Sequence, residues 1–172
     1  YVWQFRSAVL GGSGRFTESG PGLGTGDSYQ AALGDLDGDG DLDAFVANSV
    51  GANGTWFGDG TGGFSQGQSL GDSSSRAVAL GDVDGDGDLD AYVANVDANK
   101  VWLNNGSGQF SPDQNLRCGT SHGVALGDLD GDGDLDAFVA NGGANEVWLN
   151  NGEGGFADSD QSLGSSESYE VA

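Results

Sequence analysis

Five aspartates within nine residues, Asp35-Leu-Asp-Gly-Asp-Gly-Asp-Leu-Asp43, constrain this chain more than any other stretch. The pattern returns as Asp82 to Asp90, with Val83 at its second position, and again as Asp128 to Asp136. Carboxylates a few ångströms apart repel one another and cannot pack as a core. Aspartate at alternate positions with glycine between suits a tight loop wrapped around a hard cation. Ca²⁺ takes about six to eight oxygen ligands at roughly 2.3–2.6 Å in flexible geometry. Positions 1, 3, 5 and 9 supply carboxylates, and position 7 supplies its backbone carbonyl. The candidate metal residues are therefore Asp35, Asp37, Asp39, Asp41 and Asp43 in the first loop. In the second they are Asp82, Asp84, Asp86, Asp88 and Asp90, and in the third Asp128, Asp130, Asp132, Asp134 and Asp136. Gly40, Gly87 and Gly133 hold position 6, where the turn needs a positive φ. A solvated acidic turn is the plain alternative, and three copies at near-constant spacing argue against it.

An EF-hand needs a glutamate at position 12 and a helix on each side of its loop. Position 12 here is Val46, Val93 or Val139, and the flanks, such as Ala44-Phe-Val-Ala47, are short and apolar. Each loop is thus closed by the aspartate at position 9 and carried between strands.

Repetition extends beyond the loops. They start at residues 35, 82 and 128, tryptophans fall at 3, 56, 102 and 148, and phenylalanines fall at 16, 64, 110 and 156. One unit of about 46 residues reads as strand A, acidic loop, strand B, short connection, strand C, turn and strand D. Strand A covers 29–33, 76–80, 122–126 and 169–172. Strand B covers 44–47, 91–94 and 137–140. Strand C covers 2–5, 55–57, 101–103 and 147–149, and strand D begins near each repeated phenylalanine. A and B are apolar on both faces, as in strands covered on both sides. Asn105-Gly106, Asn151-Gly152 and Asp59-Gly60 signal tight turns between C and D. Four short antiparallel strands per unit, with no helical periodicity anywhere, predict an all-β chain of propeller-type blades. The repeated Trp and Phe then fill the space between blades. A sugar-stacking role for the tryptophans is the alternative, and their strict period favours core.

The boundaries expected are a C–D pair of a partial blade over 1–27, blades over 28–70, 75–116 and 121–163, and a lone strand A over 165–172. Together they make a single repeat domain of 172 residues.

Net charge is −22, from 27 acidic and 5 basic residues, and fifteen of the acids lie in the three loops. Three bound Ca²⁺, each adding two positive charges, would bring −22 to −16. An acidic surface argues against nucleic acid and anionic membranes as partners. No run of about 18 apolar residues is present, so membrane insertion is not expected. Cys118 is the single cysteine and reads as a small filler in a connection. The chain lacks an initiator methionine and a signal peptide, which points to a processed product or a fragment. Weak Ca²⁺ modules work at extracellular calcium concentrations, so an extracellular or cell-surface location is the expectation.

Asp-x-Asp-Gly-Asp-Gly-Asp-Leu-Asp, followed by Ala-Phe-Val-Ala-Asn and Val-Trp-Leu-Asn-Asn-Gly, resembles the FG-GAP or VCBS-type repeat. Such repeats form the calcium-binding blades of integrin alpha-chain propellers and of many bacterial surface and secreted proteins. The resemblance covers essentially the whole chain. It implies that the fifteen loop aspartates bind three Ca²⁺. It also implies a propeller used for adhesion, for ligand binding or as an appendage to an enzyme, without implying one activity. Closed propellers need about 4–8 blades, and this chain holds three complete units, so it should not close alone.

No Ser-His-Asp or Cys-His set stands out, and no enzymatic activity is expected. His122, the only histidine, falls where the other copies have Tyr29, Arg76 and Tyr169. Asn53-Gly-Thr and Asn105-Gly-Ser match the N-glycosylation acceptor, placed by this reading in loops. The A–B and C–D loops share the calcium rim. The opposite rim carries 49–54, 96–100, 142–146, 72–75 and 117–121, which differ between copies, and is the candidate face for a glycan or protein ligand.

The function expected is an adhesive or structural one. A carbohydrate-binding module, or an appendage of a secreted polysaccharide-degrading enzyme, is the alternative. The ends are complementary parts of one blade, and an unpaired strand edge is a template for another chain. Two arrangements remain open. In one, copies join through Ser168 to Ala172 and the strands at Val2 to Phe5 and Arg15 to Ser19, as a ring or a head-to-tail filament. In the other, the 172 residues belong to a longer array.

Overall fold

The computed structural model describes residue 24 and residues 26–171. Twelve strands in that span form three four-stranded antiparallel sheets. The first holds β1 (Ser28–Gly34), β2 (Asp43–Asn48), β3 (Asn53–Gly58) and β4 (Phe64–Leu70). The second holds β5 (Ser75–Gly81), β6 (Asp90–Asn95), β7 (Ala98–Leu103) and β8 (Ser111–Cys118). The third holds β9 (Ser121–Gly127), β10 (Asp136–Asn141), β11 (Asn145–Asn150) and β12 (Phe156–Leu163). Strands follow chain order within each sheet, and no helix occurs among the described residues. This is the all-β, blade-per-repeat architecture that the periodicity predicts.

Two expectations need comment. The C–D pair of a partial blade falls, through residue 23, outside the described residues. The lone strand A at 169–172 is not formed over 169–171, and residue 172 is outside the description. Strand A draws its ladder from strand B of its own sheet, as β1 does from β2, and among the described residues no strand B pairs with this segment. Instead the Ser168 N–H donates to the Asn141 carbonyl at 3.0 Å, and the Tyr169 ring rests 5.0 Å from His122.

The sheets stack in chain order, β1 on β5 and β5 on β9, with β2 over β5 and β6 over β9. The middle sheet is therefore covered on both sides, and all six residues of β6 are buried. Its side chains alternate, as strand geometry requires. Ala91 and Val93 join Phe45, Leu70, Trp102 and Phe110 in the core between the first two sheets. Tyr92 and Ala94 join Leu116, Val139, Trp148 and Phe156 in the core between the last two. The repeated tryptophan and phenylalanine of each later sheet thus pack on the sheet before it. Phe110 meets Phe45 edge to face, with centroids 5.6 Å apart, and Phe156 meets Tyr92 the same way at 5.4 Å. Such pairs add to the burial of the rings themselves.

Polar clips run beside these cores. Gln68 of β4 donates to the Phe110 carbonyl and accepts from the Phe110 N–H, both at 2.8 Å. Gln114 of β8 holds Phe156 in the same way at 2.8 and 2.9 Å. The third copy has Asp160 at this place, at a φ of 57°.

Phe110 is 3 % exposed, whereas Phe64, its equivalent in the first sheet, is 40 % exposed. Phe110→Ala should therefore cost about 3–5 kcal/mol, and Phe64→Ala roughly 1 kcal/mol or less. Urea unfolding of both variants measures this, and equal costs would contradict the stacking.

Candidate metal centre

Each acidic loop is folded by its own side chains. The Asp35 carboxylate accepts from the Gly38 N–H at 2.8 Å and from the Gly40 N–H at 3.0 Å. Asp37 accepts from the Asp39 N–H at 3.2 Å, and Asp39 from the Asp41 N–H at 2.9 Å. Aspartate favours such local bonds to its own backbone. Gly40, Gly87 and Gly133 lie at φ of 93°, 96° and 102°, as position 6 was expected to. The glycines at position 4, among them Gly38 at 78°, are also left-handed, so the loop needs glycine at two positions rather than one.

Position 9 has a second task. Asp43 is fully buried, and its two oxygens accept from the Leu36 N–H at 2.7 Å and the Gly58 N–H at 2.8 Å. Asp90 accepts from Val83 at 3.0 Å and Asn104 at 2.8 Å, and Asp136 from Leu129 and Asn150, both at 2.8 Å. One carboxylate in each sheet thus ties the loop to the end of strand C.

Three clusters of ligand atoms lie within 4.8 Å of one another: Asp35, Asp37 and Asp39; Asp82, Asp84 and Asp90; Asp128, Asp130 and Asp136. Oxygens that share one Ca²⁺ at about 2.4 Å lie no more than roughly 5 Å apart, so the spacing fits. The donor set is all oxygen, which suits a hard cation. Positions 1 and 3 belong to every cluster. Position 5 joins in the first loop and position 9 in the other two, so Asp43, Asp86 and Asp132 stand outside their clusters. Position 7 also stands outside. The side chain of Asp41 lies against Gly60 in the β3–β4 turn of its own sheet, that of Asp88 against Gly106 and that of Asp134 against Gly152. That placement leaves position 7 its backbone carbonyl, the role expected of it.

The electrostatics point the same way. Burial, then the charges of Asp43 and Asp39, raises the Asp37 carboxyl above its ordinary value. Burial is also the first cause for Asp84, with Asp86 and Asp82 adding to it, and for Asp130, with Asp132 and Asp136 adding to it. Burial pushes Asp90 up to about 6. Crowded carboxylates of this kind are relieved by a divalent counter-charge.

On the opposite rim the connections are shorter than expected, because β3, β7 and β11 begin at Asn53, Ala98 and Asn145. Asn48, Asn95 and Asn141 close each turn, with side-chain amides donating to Ala52, Ala98 and Ala144. Asn53 lies on β3 rather than in a loop and is 3 % exposed. Its amide donates to Ser75 at 2.9 Å, so it offers no glycan acceptor, whereas Asn105 is exposed. His122 contacts Arg76, and burial followed by the Arg76 charge lowers its pKa.

An all-β stack of four-stranded blades with one acidic loop per blade defines a repeat protein of the propeller-blade class. The chain belongs to the FG-GAP-like repeat family, whose model matches residues 35–93, 82–139 and 128–171. No curated protein matches the chain.

Removing the Asp90 side chain leaves two buried N–H groups without an acceptor, at about 1–3 kcal/mol each. Asp90→Ala should therefore lower stability by roughly 2 kcal/mol or more even in chelator, while Asp86→Ala changes it by about 0.5 kcal/mol or less. Urea unfolding in EDTA separates the two roles, and equal effects would contradict this division.

Proposed function

We propose that the chain is a non-catalytic, calcium-stabilised module with an extracellular adhesive or structural role. The observation that carries this reading is the recurrence of one carboxylate cluster in each repeat, at the same loop positions 1 and 3. The metal acts on folding rather than on a substrate, since the clusters lie in loops that join strands A and B of one sheet. A cation that binds only the folded chain stabilises it by about 2.7 kcal/mol per site at a hundredfold excess over its dissociation constant. Family membership supports the absence of catalysis, because these repeats serve as scaffolds. Self-association through the chain ends is part of the proposal, as a route to assembly on a surface.

A second reading, ligand binding on the rim away from calcium, is favoured by one cluster. Tyr169 is 68 % exposed and packs beside His122, which in turn contacts Arg76. An exposed aromatic ring beside polar groups suits a sugar.

Thermal melting in 10 mM Ca²⁺ and in EDTA at matched ionic strength tests the primary reading. The melting temperature should rise by about 10 °C or more with calcium. An unchanged value would remove the stabilising role, and calcium-dependent binding on a glycan array would move the function to the second reading.

A further inference from the structure

We propose that each of the first two calcium loops is completed by the sheet that follows it, with Asn104 and Asn150 as positioning residues. Calcium binding and sheet docking then form one coupled equilibrium. The inference rests on the calcium reading above and adds that the three sites are unequal.

The residue at loop position 2 stands between the ligands at positions 1 and 3, so its placement sets theirs. In the first loop this is Leu36, held at three points. Its N–H donates to Asp43 of its own sheet at 2.7 Å. Its carbonyl accepts from the Asn104 side-chain amide of the next sheet at 2.8 Å. Its side chain is 1 % exposed, packed in the core between the two sheets. Val83 repeats all three contacts. Its N–H donates to Asp90 at 3.0 Å, and its side chain is 1 % exposed. Its carbonyl accepts from the Asn150 amide at 2.7 Å and also from the Gly154 N–H at 3.0 Å. The following hairpin also lies against the ligand at position 3. A Cβ built on Gly108 would sit 3.5 Å from the Asp37 Cβ, and one built on Gly154 would sit 3.6 Å from the Asp84 Cβ.

The third loop keeps only the first hold. The Leu129 N–H donates to Asp136 at 2.8 Å, but Leu129 is 50 % exposed. Among the described residues no side-chain amide reaches its carbonyl. Asp128 and Asp130 are exposed, where Asp82 and Asp84 are half-buried. Ca²⁺ affinity follows the rigidity of the site as well as its charge, so the third loop is the weak one. Coupling is reciprocal. Calcium in the first two loops therefore holds the next sheet in place, and a sheet docked on the third loop, from another chain or from further repeats, raises that loop's affinity.

The first sheet supplies a clean variant. It carries Gly58 where the later sheets carry Asn104 and Asn150, and the Gly58 N–H still donates to Asp43 at 2.8 Å. Asn150→Gly therefore removes the amide clamp, together with the side chain's bonds to the Leu135 carbonyl and the Asn151 N–H of its own sheet, and keeps the backbone bond to Asp136. Calorimetric Ca²⁺ titration of the whole chain should resolve two tight sites and one at least tenfold weaker. Asp130→Ala should delete the weak site, and Asp37→Ala should delete one tight site. Asn150→Gly should weaken one tight site by about tenfold, the lower end for groups that hold a metal ligand in place. Asn104→Gly puts the same question to the first loop. Three equal sites, loss of a tight site in Asp130→Ala, or two tight sites surviving in both Asn→Gly variants would overturn the coupling. No calcium uptake at all would overturn the calcium reading itself.

Discussion

The acidic rim depends on one buried carboxylate per sheet. Asp43, Asp90 and Asp136 are fully buried, yet each is satisfied by two backbone N–H donors from different strand ends. A buried charge without such partners is costly, and with them it becomes a fixed post. The loop before it can then be almost all aspartate and glycine, because its ends are held independently of its charges. The carboxylates at positions 1 and 3, bonded only within their own loop, are left to face a cation.

The other constraint is that a sheet apolar on both faces must be covered twice. The middle sheet meets this condition through Phe110 and Trp102 on one side and Tyr92 and Leu116 on the other. Among the described residues the end sheets meet it on one side only. Leu33, Leu42 and Phe64 on the first sheet and Leu129 on the third remain exposed, whereas in the middle sheet Phe110 and Val83 are buried and Leu80 and Leu89 half-buried. Blades of this kind behave as a stack in which each member finishes its neighbour, and stability is shared between repeats.

Much of this was legible in the residues. The 46-residue period placed all twelve described strands to within a few positions, because alternation and turn residues repeat with it. The fifteen loop aspartates were readable as a group, but their division of labour was not. Whether position 5 or position 9 joins the cluster depends on side-chain directions that spacing does not carry. Asn104 and Asn150 stand in the sequence only as the first asparagine of Val-Trp-Leu-Asn-Asn-Gly, yet they bridge sheets. The clue was present, since both recur 46 residues apart and the first sheet breaks the pattern at Gly58. Gln68 and Gln114 were missed for the same reason, as contacts between sheets leave no local pattern. The strand expected at 169–172 is not formed over 169–171, where the segment instead lies against Asn141 and His122.

Calcium in the loops is tested most directly by a crystal structure of the calcium-loaded chain. Anomalous scattering should place one ion in each loop, about 2.3–2.6 Å from oxygens of the residues at positions 1 and 3: Asp35 and Asp37, Asp82 and Asp84, and Asp128 and Asp130. Loops without anomalous density, or ions bound only elsewhere on the acidic surface, would contradict it.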